Sequence, residues 1–242
     1  QYDPVKIKMA ERILRDLLLQ NGKPLGSVRS DVETIPPYSV RVRFTVDEGA
    51  NVRIGEIRFT GNKVFSDKKL QKALELTKER NMVTMFKGTD KYHREKLEYD
   101  IETNLKAFYQ EHGYMQVQVG TPIVRIFEGP RGIIPLLRKT REQFFIEIPI
   151  DAGDQFRLGK LELKECGILN CEALARAFEM KSGDVVNFKK IRDTLDEIKK
   201  LYGNLGHINF SYIPEADYDN VNKTYDLTLT MQPDKGFFVR RI

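Results

Sequence analysis

The 242-residue sequence contains no run approaching the roughly 20 apolar residues that a membrane-crossing helix needs, and its first residues lack the charged, apolar and small-residue succession of a secretion signal. It also lacks a glycine-rich phosphate loop, a nucleophile elbow and any Cys and His spacing of the zinc type. Its three histidines, His93, His112 and His207, stand far apart with no companion nucleophile motif, so each reads as a helix-face or cap residue rather than a catalytic group. Carboxylates such as Glu95, Glu98 and Asp100 sit among Lys91, Arg94 and Lys96, a mixture that marks a solvated helix face, not an acid–base pair. No enzyme, metal site or cofactor is expected. Charge of one sign does not dominate either: 40 basic residues against 35 acidic give +5 and a pI near 9.0, a weak pull toward nucleic acid or anionic lipid. Only two cysteines occur, Cys166 and Cys171, and the turn-like residues 167–170 between them allow a disulfide in an oxidising compartment or two free thiols.

The composition that remains, 40% hydrophobic and 31% charged, is that of a folding chain, and its length suits two or three small domains. One phrase recurs: residues 47–59 read DEGANVRIGEIRF, 151–163 read DAGDQFRLGKLEL, and 232–242 read QPDKGFFVRRI. Each is a turn leading into an alternating strand. In the first copy Val52, Ile54, Ile57 and Phe59 are apolar around Arg53, Glu56 and Arg58, which gives the strand one core face and one wet face. A turn at Thr60-Gly61-Asn62 follows, then Ser66 as the cap of a short helix through Leu70, Ala73 and Leu74. After the second copy, Asn170 takes the capping place before Leu174, Ala177 and Phe178.

A longer helix comes next in each copy, carrying Leu97, Ile101, Leu105 and Phe108 in one and Phe188, Ile191, Leu195, Ile198 and Tyr202 in the other. These helices end at Gly113 and Gly206, and the opening residues Leu14, Leu17 and Leu18 lead to Asn21-Gly22 in the same way. Two strand-like runs follow each glycine: 25–30 with 39–46, 115–126 with 143–150, and 208–213 with 224–231. The fold class expected is therefore α+β, tandem βααββ modules, each a three-stranded mixed sheet covered on one face by two helices. The expected domains are a truncated module at 1–49, complete modules at 50–152 and 153–234, and the first strand of another at 235–242.

A series of βααββ units with these motifs resembles polypeptide-transport-associated (POTRA) domains. The residues that carry the resemblance are Glu48-Gly49, Ile54, Ile57, Phe59, Thr60-Gly61-Asn62, Phe65-Ser66, and Phe108-Tyr109 through Gly113-Tyr114, with departures at Glu165-Cys166 and His207 in the last unit. Modules in series resemble the periplasmic arm of outer-membrane β-barrel assembly proteins of the BamA type. The resemblance implies a periplasmic location, which favours the Cys166–Cys171 disulfide. It also implies unfolded outer-membrane proteins and accessory assembly lipoproteins as partners, and a transmembrane barrel of its own lying outside this sequence. Its second strands would accept a partner strand by β-augmentation, at Met115, Gln116, Val117, Gln118 and Val119 and at Asn209, Phe210, Ser211, Tyr212 and Ile213. A secretion or translocation porin with such modules is the alternative.

Residues 82–92 and 127–140 lengthen the central module as two inserts. The second mixes Ile133, Ile134, Leu136 and Leu137 with Arg138, Lys139 and Arg141, a combination suited to a membrane surface or an acidic partner, or to a connection lying on its own module. A basic nucleic-acid-binding protein is the remote competitor. It wants aromatics beside Lys or Arg on an open sheet face, and no such motif appears in these strands, so no nucleic acid is expected.

Overall fold

The computed structural model describes residues 3–49, 52–131 and 139–236. The chain divides into two compact units, Gln1–Leu105 with Val119–Ile150, and Lys106–Gln118 with Asp151–Ile242. In chain order the elements are α1 (Pro4–Gln20), β1 (Ser27–Ile35), β2 (Ser39–Asp47), β3 (Arg53–Thr60), α2 (Asp67–Ala73), α3 (Met82–Lys87), α4 (Arg94–Tyr99), a π-helical turn (Asp100–Leu105), α5 (Lys106–Gln110), β4 (Gln118–Val119), β5 (Ile123–Arg131), β6 (Lys139–Asp151), β7 (Arg157–Lys164), α6 (Cys171–Ala175), α7 (Phe188–Asn204), β8 (Ser211–Asp219) and β9 (Thr224–Gln232). No helix among the described residues is long and apolar enough to cross a membrane. The strand expected at 237–242 lies outside the described residues.

In the first unit, α1 begins at Pro4, which needs no N–H partner, and Asp3 caps it by accepting from the Val5 N–H at 2.9 Å. β1 and β2 form an antiparallel pair in register from Ser27 opposite Asp47 to Ile35 opposite Ser39. The larger sheet has β6 at its centre, with β3 parallel on one side and β4 and β5 on the other. Alternation decides the faces: Phe144, Ile146, Ile148 and Ile150 are buried, as are Ile54, Ile57 and Phe59, and the helices contribute Leu70, Leu74, Leu97, Ile101 and Leu105 to the same core.

The long helix departs from the expected stripe. Tyr109, not Phe108, is fully buried, while Phe108 stays half-buried. The π-helical turn takes an extra residue per turn, so the inward positions run Leu97, Ile101, Leu105, Tyr109 at a constant spacing of four. Asp100 in that turn is fully buried, and its carboxylate accepts the backbone N–H groups of Glu75, Leu76 and Thr77 and the Asn104 amide, which pins the chain after α2 onto the helix. Ser66 makes no side-chain cap bond. Asn62 holds that bend instead, accepting from the Val64 and Phe65 N–H groups at 3.1 Å.

In the second unit β9 is central, with β7 parallel to it and β8 antiparallel. Phe156, Leu158, Ile191, Leu195, Ile198, Tyr202, Tyr225, Leu227, Leu229 and Met231 belong to one buried cluster, which also takes in Met115. Phe188 remains 37% exposed, and Val186, fully buried, fills the inward place at the start of α7. Where the first unit uses Asn62, this one uses a covalent link: Cys166 and Cys171 are joined by a disulfide, Cα to Cα 5.5 Å, and Asn170 between them caps α6 by accepting from Glu172 and Ala173.

Candidate strand-docking edges

A three-stranded sheet has two outer strands, and each can offer unpaired N–H and C=O groups. In both units the outer side of the first strand is closed, by the same device. The Ile54 N–H donates to the Asp90 carbonyl and the Ile54 carbonyl accepts from the Arg80 N–H, both at 3.0 Å. Further along, the Ile57 N–H donates to Glu79 Oε1 at 2.7 Å and the Ile57 carbonyl accepts from Gln71 Nε2 at 3.1 Å. In the second unit the Leu158 N–H donates to the Asp184 carbonyl at 2.8 Å, and the Leu158 carbonyl accepts from Gly183 at 2.7 Å.

The repeated Arg-apolar-Gly of the sequence explains how the closing segment is held. Arg53 reaches the fully buried Asp90 at 2.7 Å, and Arg157 donates to the Gly183 carbonyl at 2.8 Å. Each strand also bulges at the glycine, Gly55 or Gly159. A Cβ there would meet the Gln143 side chain at 2.2 Å or the Asp226 carboxylate at 2.1 Å, so the central strand's polar side chain occupies the space the glycine leaves.

The second strands are different. Among the described residues, neither Ile123–Arg131 nor Ser211–Asp219 makes a backbone–backbone hydrogen bond beyond its pairing within the sheet. No described backbone group occupies their outer sides.

The positions of the expected docking residues need correction. Residues 115–126 do not form one strand: Met115 and Val117 are buried, Gln116 precedes the strand, and only Gln118 and Val119 are extended as β4. The ladder then breaks at 120–122 before β5. Pro149 on β6 causes the break, because it has no N–H to give to the neighbouring strand, and its ring sits 2.9 Å from where a Gly120 Cβ would be. The Gly120 N–H still donates to the Pro149 carbonyl at 2.9 Å. In the other unit Asn209 and Phe210 precede β8. Phe210 is buried and stacks on Tyr202 at 4.2 Å, and the Asn209 N–H donates to Asp234. Ser211, Tyr212 and Ile213 do lie on the open strand, which runs on to Asp219.

Beside the start of β5 is a groove of about 460 Å³, lined by Leu19, Tyr92, Leu97, Pro122 and Val124 with the Arg94–Glu98 ion pair at its rim. The sequence does not show this groove, because its lining comes from separated segments. On the opposite, open face of the same sheet, the Arg58 guanidinium lies 5.2 Å over the Phe145 ring, and Phe127 meets Phe145 edge to face at 6.3 Å. The absence of such a cluster from the strands read singly is thus corrected: it forms across three strands. Arg58 is also engaged by Glu56 at 2.6 Å. Of the second insert, Ile133, Ile134, Leu136, Leu137 and Arg138 lie outside the described residues, and for Lys139 and Arg141 only the backbone pairing with β5 is described.

An α+β sheet with a parallel first strand, a central third strand and an antiparallel second strand, covered by helices on one face, defines a small module repeated along the chain. The family model for POTRA, described as a surface antigen variable number repeat, matches residues 52–153 and 168–233, so the chain belongs to the POTRA family. It is 25% identical over 246 residues to the outer membrane protein assembly factor BamA of Neisseria meningitidis, covering 100% of this chain and 29% of that protein. To the BamA of Neorickettsia risticii it is 27% identical over 209 residues, covering 86% of this chain and 26% of the other. The chain thus spans less than a third of these curated relatives. The crystal structure of Haemophilus influenzae BamA POTRA3-5 superposes with a TM-score of 0.49 at 17% identity, covering 96% of this chain and 82% of that one.

Proposed function

We propose that this chain is part of the periplasmic arm of an outer-membrane protein assembly factor, and that its open second strands take up segments of unfolded β-barrel precursors by β-augmentation. The observation that carries this reading is the asymmetry of the sheets: both first strands are closed by hydrogen bonds from their own unit, while β5 and β8 keep a free outer side. Main-chain hydrogen bonds supply affinity without demanding one sequence, which suits a receptor for many precursors. The groove beside β5 can receive a side chain of the added strand. The names of the curated relatives support the assembly role, and accessory lipoproteins are its further proposed partners. The reading assigns the chain no catalytic step and no cofactor.

Photo-reactive residues placed one at a time along 123–127 and 211–217, with an unfolded barrel-protein segment as the partner, test the proposal. Labelling that alternates along either strand and persists at high salt supports augmentation. Labelling that is confined to 131–141 and vanishes with salt replaces it with an electrostatic surface.

A further inference from the structure

The first insert carries more structure than the closing of β3 requires. In the second unit the equivalent closure is made by Gly183 to Val186, a short turn and bridge with no helix. In the first unit the closing residues, Arg80 and Asp90, flank the additional helix α3. That helix is firmly built. Asn81 and Thr84 form a reciprocal capping box, the Thr84 hydroxyl donates to the Glu79 carbonyl at 2.8 Å, and Gly88 ends the helix in the left-handed conformation.

What this scaffold presents outward is apolar. Met82 is 57% exposed, Val83 60% and Phe86 84%, positions that share one side of a helical turn. Its surroundings are basic: between Asp67 and Lys91 there are seven Lys or Arg residues against four Asp or Glu. Glu79 and Asp90 are engaged, with the Ile57 N–H and Arg53, and Lys78 and Arg80 are part-buried, Lys78 donating to the Gln71 and Lys72 carbonyls, which leaves five exposed cations against Asp67 and Glu75.

We infer that α3 is an interfacial anchor that inserts Met82, Val83 and Phe86 into the surface of an anionic lipid bilayer, with Lys87 and its basic neighbours meeting the headgroups. The contact is independent of strand uptake at β5 or β8. It is shallow, so it acts as an orienting contact for a chain already held near the membrane rather than as a sole anchor.

The sequence has no tryptophan, so Phe86→Trp in the full chain gives a single reporter. With vesicles of phosphatidylcholine and phosphatidylglycerol, the expected result is a blue-shifted emission and quenching by brominated lipid. The triple variant Met82→Ser, Val83→Ser, Phe86→Ser should lose at least ten-fold in vesicle affinity while keeping its circular dichroism and melting curve. Lys87→Glu should weaken binding several-fold. No shift with vesicles, an equal shift with neutral vesicles, or undiminished binding by the triple variant overturns the inference. A shift produced by an unfolded barrel-protein segment without lipid also overturns it, and assigns α3 to a protein partner.

Discussion

Glu79 joins two tasks at the residue scale, closing the edge of β3 and holding Gln71 at 2.7 Å, and it does so half-buried. Burial pushes its carboxyl above the usual range, more than the Ile57 N–H pulls it down. A carboxyl that binds its proton more tightly in the native state makes stability fall as pH rises from the unfolded value of 4.5 through the raised native one. Glu79→Gln keeps an oxygen for the Ile57 N–H and removes the charge. It should therefore be neutral or stabilising at pH 7, by less than about 1 kcal/mol given its exposure, and the difference should vanish below 4.5 in urea titrations at both pH values. The disulfide is a second test at this scale. Closing so short a loop restricts the unfolded chain by about 2 kcal/mol, so replacing Cys166 and Cys171 together should lower stability by that amount, and reductant should then have no further effect. At Gly113, φ is +86° and a Cβ would meet Val185 at 2.7 Å, while its carbonyl accepts the Phe156 N–H at 2.8 Å. Gly113→Ala should cost about 1–3 kcal/mol in a thermal melt.

The two open strands are not equivalent as elements. β5 exposes Ile123 at 44% and Ile126 at 43%, one on each face, and has the groove beside it. β8 carries Pro214, which lacks an N–H, and exposes Glu215 and Asp217 along its solvent face. Proline and charge are the usual ways of blunting an edge against unwanted pairing. Strand uptake should accordingly favour β5, and cross-linking yields along the two strands measure the preference directly. Pro214→Ala restores one main-chain donor, worth about 1 kcal/mol, and should raise labelling along 211–217 about five-fold without changing β5. Unchanged yields would mean that the acidic side chains, not the proline, guard this edge.

At the scale of the whole molecule, the boundaries of compactness do not follow the repeat. Residues 106–118 belong with 151–242, because Met115 enters that buried cluster and Gly113 receives the Phe156 N–H. A fragment starting at 106 should therefore melt higher than one starting at 152, and equal melting temperatures would show that the added segment contributes nothing to that core. Much of this was legible in the residues: the alternation of 144–150, the helical period of 191–202 and the glycines after each long helix lead to the α+β class, since hydrophobic period and turn chemistry are local properties. Three features were not. The shift from Phe108 to Tyr109 depends on a π-helical turn whose Asp100 is held by the backbone N–H groups of Glu75, Leu76 and Thr77, more than 20 residues away. The break before β5 depends on Pro149 in a neighbouring strand. The closed and open edges depend on residues 20 to 40 positions away, Arg80 and Asp90 against Ile54. The sequence by itself determined the alternating strands at 54–59 and 144–150 and the buried helical stripe at 191–202, because burial there follows a period written in consecutive residues. Only the tertiary structure decided which strand remains free to bind, because a hydrogen-bonding edge is defined by what else in the fold has reached it first.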